Sequence, residues 1–235
     1  MSQSICLLIL VLAFLLGLPV CSVLASPLVV LDNNTGPITV GGSALSDTEW
    51  RAVIFTTPLS AGAEIVSIDV GLNCYLNPST QCTGYPTTRQ LQIDLYSVVG
   101  GQPSSALYSL PLQGVYMATQ SQIYTFSIPN WTLAANTSYA LVLKSVSSDS
   151  QRLKWAGLVN NTVPTGLNGF SYVGTSYIAP PATPAWIASP TTDQVVVIHA
   201  NINASVPTLS EWAQLMLALM VIGVAWHFHS IRLSA

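Results

Sequence analysis

Apolar residues recur at every second position along most of the chain. Val66, Ile68, Val70 and Leu72 alternate with Ser67, Asp69 and Gly71. Leu91, Ile93 and Leu95 alternate with Gln92, Asp94 and Tyr96, and Tyr124, Phe126 and Ile128 with Thr125 and Ser127. Tyr139, Leu141 and Leu143 share one face, opposite Ala140, Val142 and Lys144, and Val196, Ile198, Ala200 and Ile202 form another. A period of two marks strands with one face in a core and one outside. Turn-forming clusters separate these runs: Asp32-Asn33-Asn34-Thr35-Gly36, Gly100-Gly101-Gln102-Pro103, Asn160-Asn161 and the proline-rich residues 179–184. No interior stretch of useful length keeps a helical period. The pattern predicts an all-β domain over residues 26–205, an antiparallel, jelly-roll-like β-sandwich.

The two ends break the alternation. Residues 5–20 (ICLLILVLAFLLGLPV) are continuously apolar, and Val23 and Ala25 sit where a signal peptidase requires small residues. Residues 1–25 are therefore expected to be a cleaved export signal, although its first residues carry no basic side chain. Near the other end, residues 215–226 (LMLALMVIGVAW) show no polar stripe on any helical face. From Trp212 to Phe228 a helix would be roughly 25 Å long, at the lower limit of a bilayer span. Trp212 and Trp226 fall where indoles favour the membrane interface, and Arg232 lies beyond the second end, which predicts that end to stay in the cytoplasm. Residues 213–235 thus read as a transmembrane helix with a short cytoplasmic tail.

Charge then sharpens the picture. Of 235 residues only 6 are Lys or Arg and 9 are Asp or Glu. The scarcity persists without the ends, because residues 26–205 hold five basic and eight acidic groups against 40 Ser and Thr. A nucleic-acid-binding patch is excluded, as is a disordered, charge-solvated chain. Hydroxyls hydrate this surface in place of ions.

Between domain and span stands Val206-Pro207-Thr208-Leu209-Ser210-Glu211-Trp212. Followed by an apolar helix and a basic end, it resembles the IPTL-CTERM sorting signal, a variant of the PEP-CTERM class of Gram-negative bacteria. Val206 replaces the usual Ile, and one Arg with two His replaces the usual basic cluster. The resemblance implies handling by signal peptidase and then by an exosortase-type membrane transpeptidase. The protein would be anchored transiently in the inner membrane and end at the cell surface, outer membrane or extracellular matrix. Pro207 disfavours helix at Val206, which would hold an extended strip just outside the membrane. A eukaryotic GPI-anchored protein is an alternative, since Asn203-Ala204-Ser205 offers small residues before a spacer and tail. His227, His229 and Arg232 weigh against it.

Further phrases resemble the choice-of-anchor R domain, an extracellular module whose members end in differing anchoring signals. They are Ala52-Val53-Ile54-Phe55-Thr56-Thr57, Leu91-Gln92-Ile93-Asp94-Leu95-Tyr96 with Gly101-Gln102-Pro103, and Leu133-Ala134-Ala135-Asn136-Thr137-Ser138-Tyr139 with Trp155. The resemblance implies fold and location, not a reaction.

Candidate chemistry is sparse. Cys74 and Cys82, eight apart around Asn77-Pro78-Ser79-Thr80, are expected to form a disulfide in an exported chain. Asp47 and Glu49 would share a side only if extended, and a solvated turn is favoured over an acid–base pair. Asp32-Asn33-Asn34 reads as an Asx turn before a calcium loop. His199 lacks a nucleophile elbow to serve. No catalytic residue, metal or cofactor is expected, and the leading reading is a non-enzymatic surface protein. The aromatic residues supply the alternative of a carbohydrate-binding module, with exopolysaccharide as partner. Packing is the favoured role of all four tryptophans of the domain: Trp50 and Trp155 are expected in core strands, while Trp131 and Trp186, expected in loops, are the candidate ligand platforms.

Overall fold

The computed structural model describes residues 26–34, 36–76, 80–81, 87–117, 121–146, 151–158, 162–178, 185–189 and 194–203, with Met216, Leu219 and Met220. The expected signal peptide and residues 206–212 lie outside the described residues. Met216, Leu219 and Met220 are helical and exposed, and no helix among the described residues is long and apolar enough to cross a membrane.

The described residues form β1 (Leu28–Asp32), β2 (Ile38–Leu45), β3 (Trp50–Thr56), β4 (Gly62–Leu76), β5 (Thr80–Gln81), β6 (Thr87–Val99), β7 (Gln102–Ser109) and β8 (Gln113–Met117). They continue through β9 (Gln122–Leu133), β10 (Ser138–Ser145), β11 (Gln151–Leu158), β12 (Thr165–Gly166), β13 (Ser171–Ile178), β14 (Ile187–Ser189) and β15 (Val196–Asn203). These make a sandwich of two antiparallel sheets. The first has the order β12-β1-β15-β4-β11-β2, with β9 and β5 also on β4. The second has the order β14-β13-β3-β10-β6-β7, with β8 also on β6. A two-residue turn joins β6 to β7, and both of its residues have positive φ, 60° at Gly100 and 78° at Gly101. Glycine reaches that region without a Cβ penalty, and the turn's twist matches the flanking strands.

β4 is the spine of the first sheet. One of its edges pairs with β15 over residues 62–70 and then with β11 over residues 72–76. The other edge pairs with β9 and then β5. Where β15 gives way to β11, the Gly71 N–H bonds Val195 O at 3.1 Å and the Val195 N–H bonds Ala156 O at 2.9 Å. A Cβ at residue 71 would stand 2.8 Å from the Cβ of Val195, so the fork closes only over glycine.

The core lies between the sheets. Ile65, Ile68, Val70, Leu72, Ile198 and Trp155 of the first meet Val53, Phe55, Leu91, Ile93, Leu95, Leu141 and Leu143 of the second. Simple alternation fails at Val66, which is half-buried while Ile65 and Ile68 are both fully buried. On β15, Ala200 pairs with Ile65 and His199 with Ser67, so Val66 is a bulge residue that reverses the phase of β4. β9 answers with a larger irregularity: Trp131 pairs with Ile65 and Ser127 with Ser67. Pro129 falls within it, on a strand whose described partner is β4 alone.

The second sheet buries both faces. Ala52, Ile54, Ala140 and Val142 point away from the core yet are 2% exposed or less. Trp50, Tyr96, Val98 and Trp186 pack against them. At the opposite side of the sandwich β1 is zipped between β12 and β15. The fully buried Asn33 pins its end, donating to Gln194 O at 2.7 Å and accepting the Val196 N–H at 2.9 Å.

Candidate functional site

The flank where β7 and β9 approach one another carries an open cleft of about 490 Å3, lined by Leu107, Tyr108, Thr132, Leu133, Ala134 and Tyr139. Its geometry starts at the irregularity in β9, which turns Trp131 inward. Trp131 is 2% exposed, so the expectation of a loop platform is corrected: it is a core residue. Tyr108 of β7 stacks on it, ring centroids 5.9 Å apart and planes 18° from parallel. The Tyr108 hydroxyl donates to Thr132 O at 3.4 Å, a long bond. The Ala134 N–H donates to the Tyr139 hydroxyl at 2.9 Å. Leu107, 47% exposed, stands at the mouth.

Trp186 is half-buried before β14 and meets Trp50 and Tyr96 edge-on, each at 6.4 Å between centroids. It serves as a wedge holding that segment on the outer face of the second sheet. Trp50 departs from expectation too, lying half-exposed on that outer face rather than in the core. Lys144 Nζ lies 4.4 Å from the centre of the Trp50 ring and 3.0 Å from Asp94 Oδ2. Gln92 Nε2 donates to Asp94 Oδ1 at 2.8 Å. Burial raises the pKa of the Tyr96 phenol, with Lys144 partly opposing the shift. Trp50 Nε1 also donates to Asp47 O at 2.9 Å and Gln92 Nε2 to Leu110 O at 2.7 Å, so the cluster is tied into the protein by backbone and side-chain groups alike.

The remaining candidates fall into structural roles. Ser46 Oγ accepts the N–H groups of Thr48 and Glu49, and the Ser46 N–H bonds Glu49 O, so Asp47 and Glu49 belong to a tight turn before β3. Asp32 Oδ1 accepts the Asn34 N–H at 2.7 Å in an Asx turn. Asn33 has no face to offer an ion. His199 is on the outer face of the first sheet, Nε2 3.0 Å from Asp69 Oδ2. Among the described residues no three or more His, Cys, Asp and Glu side chains come together where they could hold a metal ion. Cys74 is in β4, while Cys82 lies outside the described residues. Trp155 is fully buried, as expected.

No protein-family model matches the chain, and no curated protein matches its sequence.

Alternation alone did not point to Tyr108, Tyr96 or Lys144. The outer-face cluster did leave a signal: Ala52-Val53-Ile54-Phe55 and Ala140-Leu141-Val142-Leu143 are continuous apolar runs, the pattern of strands buried on both faces. Tyr108 left none, because its role depends on where the distant Trp131 is turned.

Proposed function

We propose that the chain is an exported, non-enzymatic module of a bacterial cell surface or extracellular matrix, sorted through Val206–Trp212 by an exosortase-type transpeptidase. In this reading residues 1–25 are removed by signal peptidase, and residues 213–235 hold the protein briefly in the inner membrane with a short tail in the cytoplasm. The observation that carries it is the sequence itself: a proline-bearing motif abutting an uninterrupted apolar run with its one cation, Arg232, beyond it. The low charge and hydroxyl-rich composition of the domain suit an extracellular position. A jelly-roll-like topology and kinship with choice-of-anchor R domains are part of the same proposal. In support of the topology, the chain passes repeatedly from sheet to sheet, as in β2-β3-β4 and β9-β10-β11.

A Cys74–Cys82 disulfide belongs to the proposal too. β4 and β5 pair Leu76 with Thr80 and Tyr75 with Gln81. The chain is thus returned alongside β4 as far as Gln81, the residue before the second cysteine.

The test is the intact mass of the protein recovered from the cell surface. It is expected to begin near Ser26 and to lack residues 215–235. Recovery of the full tail would overturn the sorting assignment.

A second reading, a carbohydrate-binding module on the same anchor, is favoured by one observation: the cleft beside the Tyr108–Trp131 stack.

A further inference from the structure

We infer that the cleft between β7 and the end of β9 binds a neutral oligosaccharide, with the ring of Tyr108 as its stacking platform. This gives the carbohydrate-binding reading a site, and it stands apart from the sorting signal.

The first ground is rigidity. One face of Tyr108 lies on Trp131, which is itself locked in the core. The phenol oxygen lies 3.4 Å from Thr132 O, a weak contact beside the stack. The opposite face of the ring is the one that can meet a ligand, in an orientation already fixed. A ring fixed beforehand loses little conformational freedom on binding, so more of the contact energy appears as affinity.

The second ground is charge. Among the described residues no Asp, Glu, Lys or Arg lines the cleft. An ionic ligand would be partly desolvated there with no counter-charge, which is costly. A pyranose ring fits the opposite description. Its C–H face is apolar enough to cover an aromatic ring, and its hydroxyls need neutral donors and acceptors. The Tyr139 hydroxyl accepts from the Ala134 N–H and still has a proton to donate. The cleft is open to solvent, with Leu107 exposed beside it, which leaves room for a longer polymer.

An extended peptide is the competing occupant, because the same flank also offers backbone edges. Among the described strands β7 and β9 each pair on one side only. An extended peptide would add to such a backbone edge. It would not need the aromatic face.

The experiment uses the full chain in a detergent without a sugar headgroup. It is titrated calorimetrically with cellohexaose, maltohexaose and, as the charged counterpart, hexagalacturonate. At least one neutral hexasaccharide is expected to bind saturably, and hexagalacturonate is not. Tyr108→Ala should weaken binding about tenfold or more, the loss of one stacking contact. Tyr108→Phe keeps the ring and should stay within about threefold. Leu107→Asp, an exposed change at the mouth that leaves the Tyr108–Trp131 stack in place, should weaken binding without lowering Tm. It keeps the test decisive if Tyr108→Ala fails to fold.

Absence of saturable binding by both neutral sugars would overturn the inference. So would stronger binding of hexagalacturonate, or wild-type affinity in folded Tyr108→Ala and Leu107→Asp. Displacement of bound sugar by an extended neutral peptide with higher affinity would reassign the cleft to a strand ligand. None of these outcomes depends on how the C-terminal segment is processed, so the two proposals fail separately.

Discussion

The indole Nε1 of Trp155 donates to the carbonyl oxygen of Val195 at 2.8 Å, with both residues fully buried. That carbonyl also takes the Gly71 N–H, so one acceptor ties three strand segments at the fork of the first sheet. Trp155→Phe should lower the unfolding free energy by about 2–3 kcal/mol, through lost volume and a lost buried hydrogen bond. Urea denaturation would show it as a lower midpoint with an unchanged slope.

Gly71→Ala addresses the same fork from the backbone. The new methyl would arrive 2.8 Å from the Val195 Cβ, which neither central strand can easily yield. A cost of about 1–3 kcal/mol is expected, and a Tm equal to wild type would show that the fork gives way more easily than its geometry implies.

Lys144 neutralises Asp94, whose side chain is 4% exposed. Lys144→Met leaves that carboxylate with Gln92 and should cost about 2–3 kcal/mol, somewhat below the full penalty for breaking a buried pair, because the lysine is partly solvated. The double change Lys144→Met with Asp94→Leu should recover most of the loss, measured by thermal unfolding.

Replacing both Cys74 and Cys82 by Ser should destabilise the oxidised protein by about 2–3 kcal/mol and leave the reduced protein almost unaffected. Peptide mapping without reductant should link the two cysteine-bearing peptides in the wild type. Free thiols at both positions in protein isolated without reductant would refute the bridge.

Trp186→Ala should expose the outer face of the second sheet, near Ala52 and Ile54, and lower Tm. Sugar affinity at the Tyr108 cleft should be unchanged. Loss of sugar binding in this variant would move the platform to the other aromatic cluster.

Much of this architecture was legible in the sequence. Leu91, Ile93 and Leu95, and Tyr139, Leu141 and Leu143, alternate as expected and face the core. The paired glycines at 100 and 101 form the expected turn. What could not be read was phase and pairing. The bulge at Val66 moves Ile65 inward, and the matching irregularity in β9 carries Trp131 from an expected loop into the core. Both depend on strands far apart in the chain, which a local period does not contain. Two-sided burial of β3 and β10 was written in their apolar runs, but the identity of the covering aromatic residues was not.

The pinning of β1 by Asn33 has a consequence in time. Its bonds to Gln194 and Val196 span 161 and 163 residues of chain, and β15 also supplies much of one edge of β4. The first sheet cannot close until the last strand is present. Pairings of such sequence separation slow folding, so a polypeptide still emerging keeps residues 62–70 of β4 open along one edge until β15 is made. Delayed closure of this kind leaves the chain pliable through most of its synthesis, and it hardens only when β15 arrives.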